Sequence, residues 1–162
     1  MDMGGQVVDA SIVRAPVQRN RRDENEAIKS GEVPGGWKAR PRQRAQKDVD
    51  ARWTRKRGKS DFGYKNHVSV DRRHKLVRRY EVTDAAVHDS QLFDNLLDEA
   101  NTCSKVRARV EHVFAFQESA MGGKLVRTIG IARARTRIGM MNLVYNMRRL
   151  VWLARDGIPA RA

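Results

Sequence analysis

The sequence predicts a mixed α/β domain with a small sheet. A Val- and Ile-rich run opens the chain, two alternating runs follow a long basic stretch, and helical periodicity fills the second half. Strand runs followed by helical runs are typical of a thin sheet covered by helices. We therefore expect about three strands and three helices in one domain. A length of 162 residues suits a single domain.

The amino-terminal part divides into a strand and a long insert. Residues Gln6 to Val13 are rich in Val, Ile and Ser and predict the first strand. Residues 14–61 carry Pro and Gly scattered among Arg, Lys and Gln, which predicts a mostly irregular basic insert. A short helix from Asp23 to Lys29 fits within it. An insert of this length is more often functional or disordered than neutral.

A hairpin and three helices are predicted for the rest of the chain. Alternating runs over 64–71 and 76–83, joined by a polar link, predict an antiparallel hairpin. Apolar residues at helical spacing then predict helices over about 90–99, 105–118 and 133–154. Asp89-Ser90 supplies a cap for the first helix, and Gly157 and Pro159 follow the last.

The charge distribution indicates a polyanionic partner. The net charge is +14, and residues 14–80 hold 21 Lys or Arg against 8 Asp or Glu. Residues 81–100 instead hold six acidic residues and no Lys or Arg. Nucleic acid is the polyanion that a basic protein most often meets, and a merely soluble basic surface is the alternative.

The composition argues against secreted and membrane classes. Cys103 is the single cysteine, so an internal disulfide is excluded, and no Cys/His set has zinc-finger spacing. No apolar run approaches the ~18–20 residues of a membrane span. The first residues also lack the pattern of a secretory signal. We expect a cytoplasmic protein without membrane contact.

Two carboxylates are candidates for chemistry. Asp9 lies inside the first predicted strand, where a carboxylate is costly to bury unpaired and often holds a metal or a proton. A partly exposed Asp in an edge strand is the alternative. Glu111 flanks the apolar stripe of its predicted helix. An ion pair with Arg107, four residues earlier, would explain Glu111 without chemistry.

The basic insert supplies the candidate DNA contacts. Arg and Lys neutralise phosphates, and the rings of Trp37 and Trp53 are candidates for stacking on bases. A solvated loop is the alternative, but the positive charge is concentrated here. The predicted DNA-binding residues are Lys38, Arg40, Arg42, Arg44, Lys47, Arg52, Trp53, Arg55, Lys56, Arg57, Lys59 and Lys65.

Several long runs occur together in an order that one family shares. They are VVDASIVRAP (7–16), DARWTRKRGKSDFGYKNHVSVD (50–71), VTDAAVHDSQ (82–91), RVEHVFAFQ (109–117), RTIGIARA (127–134) and IGMMNLVYNMRRLVWL (138–153). With these runs the chain resembles, over nearly its whole length, the transposases of the insertion-sequence-five family.

The resemblance implies a ribonuclease H-like fold and a catalytic triad of two Asp and one Glu. The family's first Asp falls on Asp9 and its Glu on Glu111, which are then expected to be both catalytic residues and metal ligands. Two Mg²⁺ ions, with Mn²⁺ as a substitute, would support in-line displacement at a DNA phosphate. The implied partners are insertion-sequence ends and, by assembly, a second copy or an intact transposase.

The sequence departs from the family where the second Asp belongs. In the family that Asp lies on a strand before the Glu-bearing helix, whereas here Asn101 to Ser104 joins two predicted helices directly. The family also has a helical region before the first strand. We therefore expect residues 1–162 to be one truncated, internally deleted DDE domain that no longer cleaves or transfers DNA. A non-enzymatic DNA-binding or interfering remnant is the alternative. Asp84 or Asp89 is not expected to replace the missing Asp, because site geometry must hold within ~0.5 Å.

Overall fold

The computed structural model describes residues 5–56, 58–96 and 108–155 and shows an antiparallel sheet with helices. Its elements are β1 (Gln6–Arg14), α1 (Arg22–Lys29), α2 (Gly35–Lys38), α3 (Pro41–Ala45), β2 (Arg52–Lys56), β3 (Lys59–Asp71), β4 (Val77–Asp84), a 3₁₀ turn (Asp89–Leu92), α4 (Phe93–Leu96), α5 (Ala108–Ala120) and α6 (Ile131–Arg155). The mixed α/β class predicted from the sequence is confirmed. Within the described ranges, none of the helices is long and apolar enough to cross a membrane.

Strand β3 is the centre of the sheet, and the other three strands pair with it antiparallel. β1 and β4 flank the same stretch of β3, so they lie on opposite sides of it. Gly63 pairs with both Arg14 and Arg52, which places β2 in line with β4. A Cβ at Gly63, where φ is 154°, would collide with the Val13 carbonyl, so the strand junction requires glycine.

The prediction of an irregular insert and of three strands is wrong at β2. The described part of the chain has four strands, and β2 with the start of β3 forms a second hairpin inside residues 14–61. Its link includes Gly58, whose φ of 77° suits a tight turn. The strand lacks the usual apolar alternation because three of its five residues are Arg or Lys.

The other predicted elements are found, with shifted ends. β1, α1, the β3–β4 hairpin and α6 are confirmed within a few residues, and two short helices, α2 and α3, join α1 in the insert. The helix predicted over 90–99 is a 3₁₀ turn followed by α4, and residues 97–99 lie outside the described residues. The predicted start of α5 at 105–107, together with Asn101 to Ser104, also lies outside them.

One face of the sheet carries the core, in two apolar clusters under α5 and α6. The first cluster joins Val13, Phe62, Tyr64 and Val82 of the sheet to Ile138 of α6 and neighbouring residues. The second joins β1, β3 and β4 to α5 and α6, through Val7, Val68, Val70, Val77, Val110, Val113 and Tyr145. Burial of these side chains is the main force that fixes the helices on the sheet.

A buried carboxylate connects the insert to the sheet and to α6. Asp48 is 3% exposed. Its Oδ2 accepts hydrogen bonds from the Tyr64 hydroxyl at 2.6 Å and from the Gly130 amide at 3.2 Å. Its Oδ1 accepts from the amides of Asp50 and Ala51. Burial and the bond to Asp48 raise the pKa of Tyr64, so this hydroxyl remains a donor at neutral pH.

We expect Asp48→Ala to lower the free energy of unfolding by about 3 kcal/mol, because it removes charge-assisted hydrogen bonds and leaves buried donors unsatisfied. Urea denaturation followed by circular dichroism measures the change. The control is Asp23→Ala on the exposed surface of α1, which should cost less than about 0.5 kcal/mol. Equal effects of the two variants would refute a central role for Asp48.

Candidate functional site

Asp9 faces the helices. Side chains alternate along β1, so Asp9 shares a face with Val7 and Val13, both of which are buried in the apolar clusters. The side chain of Asp9 is half-buried, and its Oδ1 accepts the Ala10 amide at 2.9 Å. The first predicted catalytic residue therefore lies on the side of the sheet where α5 packs.

Buried amides hold α5 and α6 against β3. The Asn142 Oδ1 accepts hydrogen bonds from Gln117 Nε2 at 2.7 Å and from Asn66 Nδ2 at 3.2 Å, and Asn142 Nδ2 donates to Asn66 Oδ1. All three side chains are at most 4% exposed. Because each residue comes from a different element, this network fixes the position of α5, and with it the position of Glu111.

Glu111 lines a groove of about 700 Å³ between β1 and α5. The helix contributes Glu111, Phe114, Ala115 and Glu118, which lie on one side of α5 at helical spacing. We call this site the β1–α5 groove; its remaining lining residues are Ala10, Ser11, Ile12, Arg14, Lys56, Lys59, Asp61 and Lys124. Asp9 directly precedes the β1 segment that lines the groove but is not itself a lining residue.

Two of the three acidic groups in the groove are paired with cations. Arg14 Nε donates to Asp61 Oδ1 at 2.7 Å, and Lys124 Nζ lies 3.2 Å from Glu118 Oε2. Glu111 is exposed and has no ion-pair partner among the described residues, and Arg107, its predicted structural partner, lies outside them. Lys56 and Lys59 are exposed at the same groove, on the β2–β3 hairpin. The groove thus combines a carboxylate with cations that suit phosphates.

The predicted DNA-binding residues separate into an exposed set and an anchored set. The exposed residues lie on α2, α3 and the β2–β3 hairpin; they are Lys38, Arg40, Arg42, Arg44, Trp53, Arg55, Lys56 and Lys59. Of these, Lys56 and Lys59 line the β1–α5 groove. Arg57 lies outside the described residues.

Three predicted DNA contacts instead hold the fold together. Lys47 Nζ donates to the Arg19 carbonyl and to Asn20 Oδ1. Arg52 donates to the carbonyls of Ile28, Val49 and Ala51. Lys65 Nζ donates to the Val87 carbonyl at 2.6 Å and to Asp89 Oδ1 at 3.1 Å. These hydrogen bonds direct the three charged groups toward acceptors within the protein.

The proposed stacking role of Trp37 is wrong. Trp37 is 1% exposed, and its indole N–H donates to Glu24 Oε1 at 2.7 Å, so its ring belongs to the core of the insert. Trp53 is 52% exposed and packs at 5.3 Å, between ring centroids, on Phe62. Only Trp53 of the two offers a surface to a base.

Asp84 and Asp89 do not join Asp9 and Glu111. Asp89 contacts Lys65, which alternation places on the sheet face opposite to Asp9. Asp84 lies on β4 and pairs with Tyr64 of β3. It is therefore two strand spacings, or about 10 Å, from β1. Its Oδ1 accepts the Ala86 amide, as expected of a loop residue.

The residues present do not fit a two-metal centre. Carboxylate oxygens such as those of Asp9 and Glu111 are the ligands that Mg²⁺ prefers. However, residues 5–56, 58–96 and 108–155 contain no group of three His, Cys, Asp or Glu side chains that could hold a metal ion. A phosphoryl transfer that needs two bridged ions therefore has no complete ligand set in this part of the chain.

Sequence comparison identifies the family of the chain. The family model for the transposase DDE domain matches residues 1–102, which is more than half of the chain. The chain therefore belongs to the transposase DDE domain family. The matched range contains Asp9, β1 to α4 and the whole basic insert, and it ends before Glu111. No curated protein and no solved structure matches the chain.

The sequence did not point to two cations of the groove, Arg14 and Lys124. They meet because segment 124–126 bridges to the end of β1: the Arg14 amide donates to the Lys124 carbonyl at 3.0 Å, and the Val126 amide donates to the Arg14 carbonyl at 2.8 Å. Such a contact between distant segments leaves no periodic signal. The only sequence signal for Arg14 is its position at the end of the strand that carries Asp9.

If Asp9 and Glu111 serve function rather than folding, replacing either carboxylate by a neutral amide should leave the stability of the fold nearly unchanged. We expect Asp9→Asn and Glu111→Gln each to change the free energy of unfolding by less than about 0.5 kcal/mol. Asp61→Asn, which breaks the ion pair with Arg14, should cost about 1 kcal/mol. Urea denaturation compares the three variants. A larger loss for Asp9→Asn than for Asp61→Asn would mark Asp9 as a structural residue.

Proposed function

We propose that this chain is a transposase-like protein of the insertion-sequence-five type that binds DNA along the β1–α5 groove but no longer cleaves or transfers strands. The observation that carries the proposal is the groove itself. It brings Glu111, on the helix beside the Asp9 strand, together with the exposed Lys56 and Lys59, while Arg14 and Lys124 neutralise the other two acidic groups of the groove. A polyanion that follows these cations passes the carboxylate where the family performs its chemistry.

The proposed loss of activity rests on the missing carboxylate. A deleted strand between α4 and α5 would remove the second Asp from a ribonuclease H-like domain, and neither Asp84 nor Asp89 lies where it could replace that residue. Asp9 and Glu111 alone would hold Mg²⁺ or Mn²⁺ weakly. Such a protein is a DNA-binding remnant, able to occupy insertion-sequence ends and interfere with an intact transposase.

Charge reversal tests the groove. We expect the double variant Lys56→Glu with Lys59→Glu to bind a labelled DNA duplex at least about tenfold more weakly, with a smaller salt dependence, because two phosphate contacts are lost. The double variant Arg42→Glu with Arg44→Glu on α3 makes the same change in net charge away from the groove. Fluorescence anisotropy at several salt concentrations compares the two.

Two outcomes would contradict the proposal. Equal losses in the two double variants would show that overall charge, not the groove, attracts DNA, and no binding by the unmodified chain would exclude a DNA-binding role. The same mixtures, with supercoiled plasmid and Mg²⁺ or Mn²⁺, test catalysis. We expect no nicking above that of an Asp9→Asn, Glu111→Gln double variant. Nicking that this variant abolishes would demonstrate an active site.

An apolar seam on α6 supports assembly with a second copy. Four apolar side chains, each more than half exposed, lie on the face of α6 that points away from the sheet. Their spacings alternate between three and four residues: Met140, Leu143, Met147 and Leu150. This is the seam spacing of paired helices. No charged residue falls on it, so the same helix of a second chain, or of an intact transposase, can pack on it without opposing charges.

We expect the purified chain to be a dimer by light scattering and Leu143→Glu to convert it to a monomer, because a carboxylate at the seam would be buried without a partner. The control is Val17→Glu, which places the same charge on another exposed apolar residue, 64% exposed, away from α6. A monomeric parent chain, or dissociation by the control variant as well, would rule out the seam as the interface.

A further inference from the structure

A second concave site lies on the other side of α5 from the β1–α5 groove. His112 and Phe116, one helical turn apart, face it, whereas Glu111 and Phe114 face the groove. This α5–α6 cleft has a volume of about 410 Å³, within the usual range of small-molecule sites. Its lining residues are Lys75, His112, Phe116, Tyr145, Arg148, Arg149 and Trp152, and none of them is acidic.

The backbone and hydrogen bonds fix two cations at the cleft. Lys75 lies in the turn between β3 and β4 with a φ of 59°, a conformation that few residues other than glycine adopt. Its carbonyl accepts the Tyr145 hydroxyl at 2.8 Å, and its amide donates to the Asp71 carbonyl. Arg149 Nε donates to the His74 carbonyl at 2.7 Å. The turn therefore fixes the backbone of Lys75 at the cleft, and the hydrogen bond to His74 fixes the Arg149 guanidinium.

Aromatic rings form the wall beside these cations. The Arg149 guanidinium lies 4.0 Å from the ring centroid of Trp152, and the Arg148 guanidinium lies 4.8 Å from that of Phe116. Cation–π contacts of this kind hold the guanidinium planes in place. Trp152 is still 46% exposed. Arg149 thus covers one face of the Trp152 ring, and the exposed part of that ring lies next to several donors for an anion.

The positive charge of the cleft is not balanced by acidic residues in its lining. The lining places Lys75, Arg148 and Arg149 around the His112 ring. Glu111 is adjacent to His112 in sequence but faces the β1–α5 groove instead. Clustered cations of this kind attract an anion more strongly than isolated surface lysines do.

We propose that the α5–α6 cleft binds a nucleotide, with its phosphate held by Lys75, Arg148 and Arg149 and its base stacked on Trp152. The ligand class is a phosphate that carries a flat ring, either as a free nucleotide or as one unit of an unpaired DNA strand. The second source rests on the proposed DNA-binding function, whereas the site itself requires neither Asp9 nor a metal ion.

Titration calorimetry with three probes tests the site: inorganic phosphate, deoxyadenosine monophosphate and a short single-stranded oligothymidine. We expect both nucleotide probes to bind more tightly than phosphate. Trp152→Ala should weaken the nucleotide probes about tenfold by removing the stacking surface, and phosphate less, because the ring also holds the Arg149 guanidinium. Arg148→Gln should weaken all three. Tyr80→Ala removes another exposed aromatic ring, 48% exposed and outside both the cleft and the groove, and is the matched control, expected to bind as the parent chain does.

One further variant separates stacking from structural damage. Trp152→Phe keeps a ring at the position and should retain most of the affinity that Trp152→Ala loses.

The outcomes distinguish this site from the groove. Tighter binding of oligothymidine than of the mononucleotide supports a DNA strand as the source, and equal binding supports a free nucleotide. Unchanged nucleotide affinity in Trp152→Ala, or an equal loss in Tyr80→Ala, would overturn the proposal. The Lys56→Glu, Lys59→Glu variant should lose duplex DNA but keep the mononucleotide, so that failure of groove binding leaves the cleft separately testable.

Discussion

The hydrogen bonds of the buried Asp48 carboxylate are the constraint on which the rest of the structure depends. A carboxylate that is removed from water must be compensated by donors, and here a hydroxyl from β3, an amide before α6 and two amides of its own loop supply them. Asp50 continues the arrangement, because its Oδ2 accepts the Ile131 amide at the start of α6. Negative charge at this end also suits the helix dipole. The insert, the sheet and the longest helix therefore meet at one short acidic turn.

Both candidate sites depend on that junction through α6. The helix carries Asn142, which with Asn66 and Gln117 fixes α5, and it carries the arginines and Trp152 of the α5–α6 cleft. A displaced α6 would move Glu111 relative to β1 and open the cleft at once. The polar amides between two apolar clusters also specify one register of α5 and α6 on the sheet, where apolar packing alone would tolerate several.

The sequence predicted the elements that have a clear period and missed those whose role depends on distant partners. β1, the β3–β4 hairpin and α6 show alternation or helical spacing because one face of each is buried. β2 shows neither, since Arg52, Arg55 and Lys56 leave no apolar alternation to detect. Asp48 lies in a polar loop without a periodic signal, and its burial depends on Tyr64 and Gly130, which are distant in sequence. For the same reason, a basic composition could not separate Lys47, Arg52 and Lys65, which bind backbone carbonyls, from the cations that remain exposed.

Part of the candidate site was predictable because two carboxylates stand out within their own elements. Asp9 is conspicuous as a carboxylate within an apolar strand, and Glu111 as one beside an apolar helical stripe, so both could be named before any geometry was known. Strand alternation turns Asp9 toward the helices, and the helical period turns Glu111, Phe114 and Glu118 toward the β1–α5 groove, which Asp9 does not line. The same period turns His112 and Phe116 the other way. One helix of thirteen residues thus separates a groove that mixes carboxylates with cations from a cleft without acids. An extended polyanion attracted to this surface would meet cations on both sides of α5, and only on the groove side would it meet Glu111.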